Sequence, residues 1–519
     1  MSSVDPSWPP PQTPPPDAHR RYPRPPRVAQ VLAVVLPIVL LVALAAPLGI
    51  AWGIARLRSS AGDSSGEASR PVAADEGRPG VGDPYFPDHG SSGYDALRYT
   101  VALSWDPSAE IMTATTVIEA RSTQPLRSFY VDLALTTDRV SVDGQEASFE
   151  KSGFQDVEIT PDEPIPADTD FRVSVDYSGD PATVSRGDTT AWYVTGEEWT
   201  AAGEPESSAW WFPANDHPSD PARMDVSVRV PAGMEAVSVG RLLSRDSAAE
   251  ADFDTWHWAA EQPMATYLSF VSIGQYALQE GVVDGRPYVY AVSEQLSAPD
   301  RDKAFAALTR SGAIVRTLES MFGPYPFAEL GGIVPAHKLP FDGLETQTRP
   351  VYLRSSIIGP GATDLVVHEL AHMWFGDNVT VRQWNDIFLN EAYASWAQWG
   401  YAERTGGRSA DEAMNALFDR AKDRPRFWRI TMIDPGAEHL FDAVYARGPM
   451  TLQALRNRMG DDAFFALARD WSHDPGSRSL EEWMIEAQSR TRADLVPFFQ
   501  AWIYAPRVPA RTAANGFDS

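Results

Sequence analysis

Two histidines four positions apart, His368 and His372, enclose Glu369 in the pattern His-Glu-x-x-His. On a helix, positions i and i+4 lie on one face, so both imidazoles can point at one spot with Glu369 beside them. A catalytic zinc ion takes three protein ligands and keeps a fourth position for water. Glu391, which eighteen residues separate from His372, is the natural third ligand. The spacing therefore predicts one Zn²⁺ site, held by His368, His372 and Glu391.

Two helices must position these side chains. Thr363 and Asp364 are predicted caps before the first histidine, and Gly376 is a predicted stop after the second. A second helix is predicted from Asp386 to Ala402, with Glu391 facing back toward the histidines. The alternative is an accidental pattern on an amphipathic helix, but the acidic residue on a following helix argues against it.

Glu369 is predicted to accept a proton from water and to pass it to the leaving amine, since it lies beside the metal without being a ligand. Asn385, Asp386 or Asn390 could accept the outer N–H of a zinc histidine, and the sequence does not choose among them. Five further histidines have no ligand spacing and are predicted to be structural or exposed: His217, His257, His337, His439 and His473.

Composition limits the classes of function. The chain of 519 residues is long enough for two or three domains. Its 44 basic and 70 acidic side chains leave a net charge of -26, which argues against a nucleic-acid-binding surface. With 0 cysteines, the chain has no disulfide, no thiolate metal ligand and no cysteine nucleophile.

The N-terminal part predicts a membrane anchor. Residues 1–27 are rich in proline and arginine, which predicts a disordered cytoplasmic tail. Residues 28–55 are apolar apart from Gln30 and long enough for a transmembrane helix. More arginines precede than follow this segment, so we expect a single-pass cell-membrane protein with an extracellular catalytic domain. The alternative is a cleaved signal peptide, whose apolar core is usually shorter.

The remaining chain predicts a flexible linker and two folded domains. Residues 56–91 mix glycine, serine, aspartate and proline, which is typical of a linker. Alternating apolar residues predict a β domain over residues 92–280. Helical periodicity predicts a mainly helical domain over residues 281–507, and residues 508–519 are predicted to be a disordered tail. The predicted fold class is therefore α+β and multidomain.

Several motifs resemble the M1 family of zinc metallopeptidases, the gluzincin aminopeptidases. The zinc pattern with Leu389-Asn390-Glu391-Ala392 is the most specific of them. Trp211 to Pro218 resembles the family's Phe-Pro-x-x-Asp-x-Pro block, and Phe322 to Pro326 and Thr266 to Leu268 match two further family positions. The resemblance covers residues 92 to 506 and implies a thermolysin-like fold for residues 281–507, with zinc as cofactor.

The chain departs from the family pattern in two respects. Where members usually carry Gly-x-Met-Glu-Asn, this chain has Asp342-Gly343-Leu344-Glu345-Thr346-Gln347, so Thr346 stands at the asparagine position. The chain also resembles a short form without the helical domain that follows the catalytic domain in many members. A more open substrate cavity is therefore expected.

The resemblance also implies three substrate-facing residues. Val444 to Gly448 is similar to the family's Tyr-x-Lys-Gly segment, which implies that the Tyr445 hydroxyl donates a hydrogen bond to the oxyanion. Glu345 and Glu204 match family positions that bind the N-terminal ammonium of a substrate. Without the resemblance, Tyr445 would be a core residue and the two glutamates would be solvated surface residues.

These observations predict a membrane-anchored zinc aminopeptidase that hydrolyses N-terminal residues from peptides. The first alternative is a zinc endopeptidase or another zinc hydrolase without recognition of a free amine. The second is a non-catalytic ectodomain that binds a partner.

Overall fold

Alternating apolar residues form strands in the first part of the chain. Tyr99, Val101, Leu103 and Trp105 are buried along one face of β1, and the residues between them are exposed or half-buried. The computed structural model describes residues 75–205, 207–247 and 252–517. Its first strands are β1 (Tyr94–Asp106), β2 (Ile111–Ser122), β3 (Phe129–Asp132), β4 (Thr136–Val142), β5 (Gln145–Glu146), β6 (Ser148–Ser152), β7 (Asp156–Thr160), β8 (Asp170–Gly179), β9 (Trp192–Val194), β10 (Trp199–Ala201), β11 (Ala222–Pro231), β12 (Glu235–Ser238), β13 (Arg241–Asp246), β14 (Phe253–Met264) and β15 (Val271–Gly274).

These strands form three sheets around one hydrophobic core. The eight-stranded sheet has the order β13-β14-β11-β1-β2-β8-β4-β5, the four-stranded sheet β12-β15-β10-β9 and the three-stranded sheet β3-β7-β6. Strands β1 and β11 run parallel, with Leu103 paired to Val228, and the other neighbours in the large sheet are antiparallel. Val101, Ile273 and Val157, one from each sheet, belong to the same core.

Helices dominate the second half and surround a smaller mixed sheet. The sheet has the order β16-β17-β18-β20-β19, and a separate pair joins β21 to β22. The strands are β16 (Tyr276–Val283), β17 (Arg286–Ser293), β18 (Leu330–Val334), β19 (Gly343–Leu344), β20 (Val351–Tyr352), β21 (Val379–Val381) and β22 (Gly476–Arg478). The α-helices are α1 (Ala298–Leu308), α2 (Ser311–Phe322), α3 (Arg354–Ile357), α4 (Ala362–His372), α5 (Phe388–Arg404), α6 (Ala410–Ala421), α7 (Pro425–Arg429), α8 (Val444–Met459), α9 (Asp461–Trp471), α10 (Leu480–Ser489) and α11 (Val496–Phe499). The predicted combination of a β domain and a mainly helical domain is confirmed at this level.

The two helices around the metal motif begin differently from the prediction. Helix α4 starts at Ala362 after Gly361, and no side chain caps it. Asp364 lies in its first turn, where a carboxylate interacts favourably with the helix dipole. Helix α5 begins at Phe388, after a short 3₁₀ turn over Trp384–Asp386. Glu391 therefore lies in the first turn of α5.

The segment before β1 is held against both halves of the chain, which differs from the linker predicted for residues 56–91. Oδ2 of Asp83 accepts the backbone N–H of Trp384 at 2.8 Å. The same oxygen lies 3.2 Å from Nε2 of His217 in the β domain. Glu76 forms a bridge with Ser128 beside β3. These contacts give the described part of this segment defined partners, which composition did not reveal.

The C-terminal residues also differ from the predicted tail over 508–519. Residues Ala513–Asn515 form a 3₁₀ turn, and the Phe517 ring lies 4.7 Å from the Phe418 ring. Phe517 also stacks on Trp502. The segment has no sequence periodicity because single side chains, rather than a helix or strand face, anchor it.

The predicted localisation requires a correction. No helix among the described residues is long enough and apolar enough to cross a bilayer. The apolar segment 28–55 lies outside the described residues, as do the predicted tail 1–27 and linker residues 56–74. The described structure therefore does not support the prediction of a single-pass membrane protein with an extracellular catalytic domain.

Candidate active site

Three donor atoms from α4 and α5 converge on one point. Nε2 of His368 lies 3.2 Å from Nε2 of His372 and 3.2 Å from Oε2 of Glu391. Nε2 of His372 lies 3.5 Å from the same oxygen. In a tetrahedral zinc site with bonds of about 2.0 to 2.1 Å, neighbouring donors lie about 3.3 Å apart. The donor set therefore fits a zinc ion in its chemistry and in its spacing.

The surroundings adjust the protonation of these donors. Burial lowers the pKa of His368, which favours the neutral imidazole that a metal requires. Burial acts to lower the pKa of His372 also, but the charges of Glu345 and Glu391 raise it, so metal binding here displaces a proton. Burial acts to raise the pKa of Glu391, but the His372 charge and hydrogen bonds from the two histidines lower it overall.

The outer nitrogen of His372 has a backbone partner. Its Nδ1 lies 3.0 Å from the carbonyl oxygen of Phe375, and a carbonyl can only accept, so Nδ1 carries the proton and leaves the lone pair of Nε2 for the metal. Of the side-chain candidates for this role, Asp386 accepts the backbone N–H of Leu480, and Asn390 donates to the hydroxyl of Tyr267 at 3.4 Å. The side-chain oxygens of Asn385 and Asn390 have no hydrogen-bond partner among the described residues.

Glu369 lies against the strand that precedes Glu345. A Cβ atom built on Gly343 of β19 would stand 2.2 Å from Oε1 of Glu369, so only glycine lets the strand approach the carboxylate this closely. Glu369 is buried, and burial raises the pKa of its carboxyl well above the ordinary value. A raised pKa makes the carboxylate a stronger proton acceptor.

Helix α8 brings Tyr445 to the other side of the donors. Its hydroxyl donates to Oε1 of Glu391 at 3.1 Å, and its ring lies 5.9 Å from the His368 ring. The residue is 40% exposed, whereas its hydroxyl rests on a carboxylate that is buried. Desolvation and the Glu391 charge raise the pKa of Tyr445, which keeps the hydroxyl protonated. Gly448 permits this approach, because a Cβ there would stand 2.7 Å from that of Ala392.

Two further carboxylates face the donors. Glu345 is 3% exposed and accepts a hydrogen bond from the Tyr267 hydroxyl at 3.3 Å. Donor atoms of Glu345, Glu369 and His372 all lie within 4.8 Å of one another. Glu204, from the loop after β10, has a buried Oε1 without a hydrogen-bond partner among the described residues. Burial, followed by the charge of Glu345, raises the pKa of Glu204. The β domain and the helical domain thus each supply one carboxylate.

The altered segment after Glu345 closes on itself. The Thr346 hydroxyl donates to the carbonyl of Arg349 at 2.8 Å, so this side chain serves the loop. The backbone N–H of Gln347 donates to the carbonyl of Leu268 in the β domain at 3.1 Å. The loop that carries Glu345 is therefore fixed to both domains without an asparagine at position 346.

Sequence reasoning assigned no role to Tyr267 or to Gly343. Tyr267 belongs to Thr266-Tyr267-Leu268, a segment that resembles the family. Its hydroxyl links Glu345 to Asn390. Gly343 belongs to the segment that stands where the family has Gly-x-Met-Glu-Asn. It lies close to Glu369 on strand β19, which pairs with β20. Both contacts join residues distant in the chain, so spacing carried no signal for them.

Comparisons with known proteins agree with this arrangement. The model of the peptidase family M1 domain matches residues 358–482, and the model of the peptidase M1 N-terminal domain matches residues 96–268. A probable aminopeptidase 2 from Sulfurisphaera tokodaii is 24% identical over 279 residues, which are 49% of this chain and 34% of that protein. Aminopeptidase N from Streptomyces lividans is 24% identical over 318 residues, 56% of this chain and 36% of that protein.

A solved structure shares the fold of nearly the whole described chain. It is a crystal structure of a mutant M1 zinc metallopeptidase from Deinococcus radiodurans bound to a Tyr-Ser-Ala substrate. The TM-score is 0.74 at 24% sequence identity, and the match covers 83% of this chain and 99% of that one. The chain spans about a third of the length of the curated relatives named above.

The fold and the donor set together define the class of zinc metallopeptidases. Within this class, the chain belongs to peptidase family M1, as the motifs of the sequence predicted. The cofactor of its site is zinc.

Proposed function

We propose that this chain is an aminopeptidase that removes N-terminal residues from peptides. One observation carries the proposal: Glu345 is buried with a donor atom within 4.8 Å of those of His372 and Glu369, and its charge interacts with Glu204. The Oε1 of Glu204 is buried and has no hydrogen-bond partner among the described residues. Two neighbouring carboxylates with buried oxygens are costly to ionise unless a cation neutralises them. The ammonium group at the N-terminus of a peptide is such a cation, and it is available only on an unblocked substrate.

The position of the two carboxylates relative to the donors sets the site of cleavage. Glu345 lies within 4.8 Å of His372 and Glu369, measured between ligand atoms. An ammonium held there leaves room for one residue before the scissile carbonyl reaches the donors. Fixing the substrate by its amine therefore makes the enzyme an exopeptidase and supplies orientation for the reaction.

Glu369 performs the proton transfers in the proposed reaction. Zinc, when bound to His368, His372 and Glu391, supplies Lewis acidity that polarises a carbonyl and acidifies water. Glu369 accepts the proton of the attacking water and delivers it to the leaving amine. Its raised pKa, caused by burial, suits a group that must hold this proton between the two transfers.

Tyr445 stabilises the negative charge that develops on the carbonyl oxygen. Its hydroxyl is a protonated donor beside Glu391, at the open side of the donor cluster. A hydrogen bond that strengthens as the oxyanion forms lowers the barrier more than it stabilises the bound substrate. The residue is 40% exposed, so part of Tyr445 is open to solvent while its hydroxyl contacts Glu391.

The comparisons support the same substrate class. Two relatives carry the name aminopeptidase, and the structural neighbour from Deinococcus radiodurans holds a tripeptide. We therefore take Tyr-Ser-Ala as the first substrate to test.

The decisive experiment compares Tyr-Ser-Ala with its N-acetylated form, using the full chain with zinc. We expect release of tyrosine from the free peptide, no cleavage of the acetylated peptide, and loss of activity with a chelator that added zinc restores. A panel of aminoacyl fluorogenic substrates then gives the preferred N-terminal residue. Equal cleavage of both peptides would contradict amine recognition and favour the endopeptidase alternative. Absence of cleavage together with no stoichiometric zinc would favour a binding protein.

A further inference from the structure

The first turn of α8, which carries Tyr445, lacks one backbone hydrogen bond of a regular helix. Pro449 lies inside α8 and has no backbone N–H. The carbonyl of Tyr445 therefore receives no hydrogen bond from the residue four positions later, where a regular helix would provide one. The proline ring also crowds that carbonyl. Another contact must hold this turn if the Tyr445 hydroxyl is to stay in place.

Arg447 supplies such a contact from within the same turn. Its side chain is fully buried and donates to four backbone carbonyls. Nε donates to Trp502 at 2.9 Å, and one terminal nitrogen donates to Ala505 at 2.7 Å. The other terminal nitrogen donates to Trp428 at 3.1 Å and to Ile430 at 2.7 Å. The guanidinium thus ties the Tyr445 turn to two separate segments.

The acceptors suit an arginine in particular. They lie at the ends of α7 and of the π-helical turn Gln500–Tyr504, where carbonyls lack helical partners and carry partial negative charge. A planar guanidinium offers five donors in a fixed fork, whereas a lysine offers three donors at one point. Burial lowers the pKa of Arg447 to about 10, so the group remains charged at neutral pH.

We propose that Arg447 is a positioning residue for Tyr445. This inference rests on the proposed function, in which the Tyr445 hydroxyl stabilises the oxyanion. Arg447 touches no substrate and acts by holding the first turn of α8, so that the hydroxyl stays 3.1 Å from Oε1 of Glu391. The C-terminal segment around Trp502 thereby contributes to the geometry of the active site.

The same helix offers a matched control. Arg456, nine residues further along α8 than Arg447, is also mostly buried and pairs with Asp461 and Glu403, each at 2.9 Å. Replacing Arg456 removes an anchoring arginine from the same helix at a distance from Tyr445. A general loss of helix packing would affect both variants alike, whereas a positioning role would not.

The kinetic test uses Arg447→Met, Arg447→Lys, Arg456→Met, Tyr445→Phe and the double variant Arg447→Met with Tyr445→Phe. We expect Arg447→Met to lower kcat about 10-fold or more with KM changed less than about 3-fold, since the lost interaction belongs to the transition state. Arg447→Lys should fall between Arg447→Met and wild type, and Arg456→Met should keep kcat within about 2-fold. In the Tyr445→Phe background, Arg447→Met should lower kcat by less than about a further 2-fold, because both substitutions act on the same interaction of the Tyr445 hydroxyl. Equal losses of kcat in both backgrounds would overturn the inference.

Hydrogen exchange of the metal-free chain gives a readout that is independent of activity. Arg447→Met should speed exchange in the segment 443–451 by about tenfold and leave 455–460 unchanged, with the reverse pattern for Arg456→Met. Equal acceleration along the whole helix in both variants would show a merely structural role and overturn the inference. If wild-type protein cleaves no free-amine substrate, the proposed function fails, while the exchange pattern still decides whether Arg447 holds the Tyr445 turn.

Discussion

The metal-donor region, which consists of His368, His372 and Glu391, differs in composition from the proposed amine-recognition region, which consists of Glu204 and Glu345. The metal donors come from two consecutive helices that pack in one hydrophobic core, with Leu370 and Ala392 among its members. The two amine-recognition glutamates come from loops in different domains, after β10 and after β19. The first region joins a carboxylate to two imidazoles, whereas the second joins two carboxylates of like charge.

This difference shows how the site divides its tasks. In the metal-donor region, the histidine charge and hydrogen bonds lower the pKa of Glu391, so the protein itself supplies compensating groups. In the amine-recognition region, burial raises the pKa of both glutamates, and Tyr267 offers one hydrogen bond to Glu345. A bound proton or a cation from outside can balance the charge of the second region. In the proposed function, reactivity depends on the first region and selection of the substrate on the second.

The largest expected effect lies beside the metal donors. Glu369→Gln should lower kcat about 1,000-fold or more, because the amide cannot accept the proton of water. Zinc content, measured by elemental analysis, should stay at wild-type level, since Glu369 is not a donor. Glu391→Gln should instead reduce zinc content, and Asp364→Asn, on the same helix α4, should alter neither quantity. Loss of zinc in Glu369→Gln would contradict the assignment of different roles to Glu369 and to the three metal donors.

The next effect tests the contact between Gly343 of β19 and Glu369, the neighbour of His368 in the chain. Gly343→Ala should lower kcat about 100-fold, because its Cβ would stand 2.2 Å from Oε1 of Glu369 and displace the carboxylate. Gly361→Ala is the matched control, since a Cβ there meets nothing within 4 Å and its φ of -90° suits any residue. Steady-state kinetics of both variants on Tyr-Ser-Ala provide the measurement. An unchanged kcat in Gly343→Ala would contradict the claim that position 343 must lack a side chain for Glu369 to function.

A smaller effect, on KM, is expected in the amine-recognition region. Glu345→Gln and Glu204→Gln should each raise KM for Tyr-Ser-Ala about 10- to 100-fold, since each removes a charged partner of the ammonium. Zinc content should not change. Glu197→Gln, an exposed residue near β10, serves as control and should leave KM unchanged. A fall of kcat alone, with KM unaltered, would contradict the division of tasks between the regions.

The smallest effect concerns a raised carboxyl pKa outside both regions. Burial raises the pKa of Asp220 in the β domain to about 7. The folded state therefore binds the Asp220 proton more tightly than the unfolded state. The contribution of this proton to the free energy of unfolding is fully present below about pH 4 and is lost as the pH rises to about 7. Thermal unfolding should show a Tm decrease between about pH 5 and pH 8 that is a few degrees smaller in Asp220→Asn than in wild type. Asp138→Asn, at an exposed position of β4, should keep the wild-type difference; an identical pH dependence in Asp220→Asn would exclude Asp220 as its source.

The predictions from sequence succeeded where a local pattern was enough. The strand around Val101 and the helix around His368 follow from periods of two and of about four residues. Family membership followed from motifs with fixed spacing, and zinc followed with it. The assignments of Glu345, Glu204 and Tyr445 came from the resemblance alone, and they remain proposals.

Other features depended on contacts that spacing does not encode. The backbone carbonyl of Phe375, rather than a side chain, accepts the outer N–H of His372. Asp83 and Phe517 have partners far away in the chain, so the segments that carry them differ from the predicted linker and tail. The predicted membrane localisation rested on hydropathy of residues 28–55, outside the described structure, and the described helices give it no support.

The amino-acid sequence by itself determined the class of enzyme and predicted the three metal donors, because two imidazoles one helical turn apart and a carboxylate on the next helix are a local arrangement. Only the tertiary structure decided that Gly343 touches Glu369, that Tyr267 links Glu345 to Asn390, and that Arg447 binds carbonyls near the C-terminus. These contacts arise when separate domains and helices pack together. Their energy depends on burial and on atomic distances, and the spacing of residues along the chain determines neither.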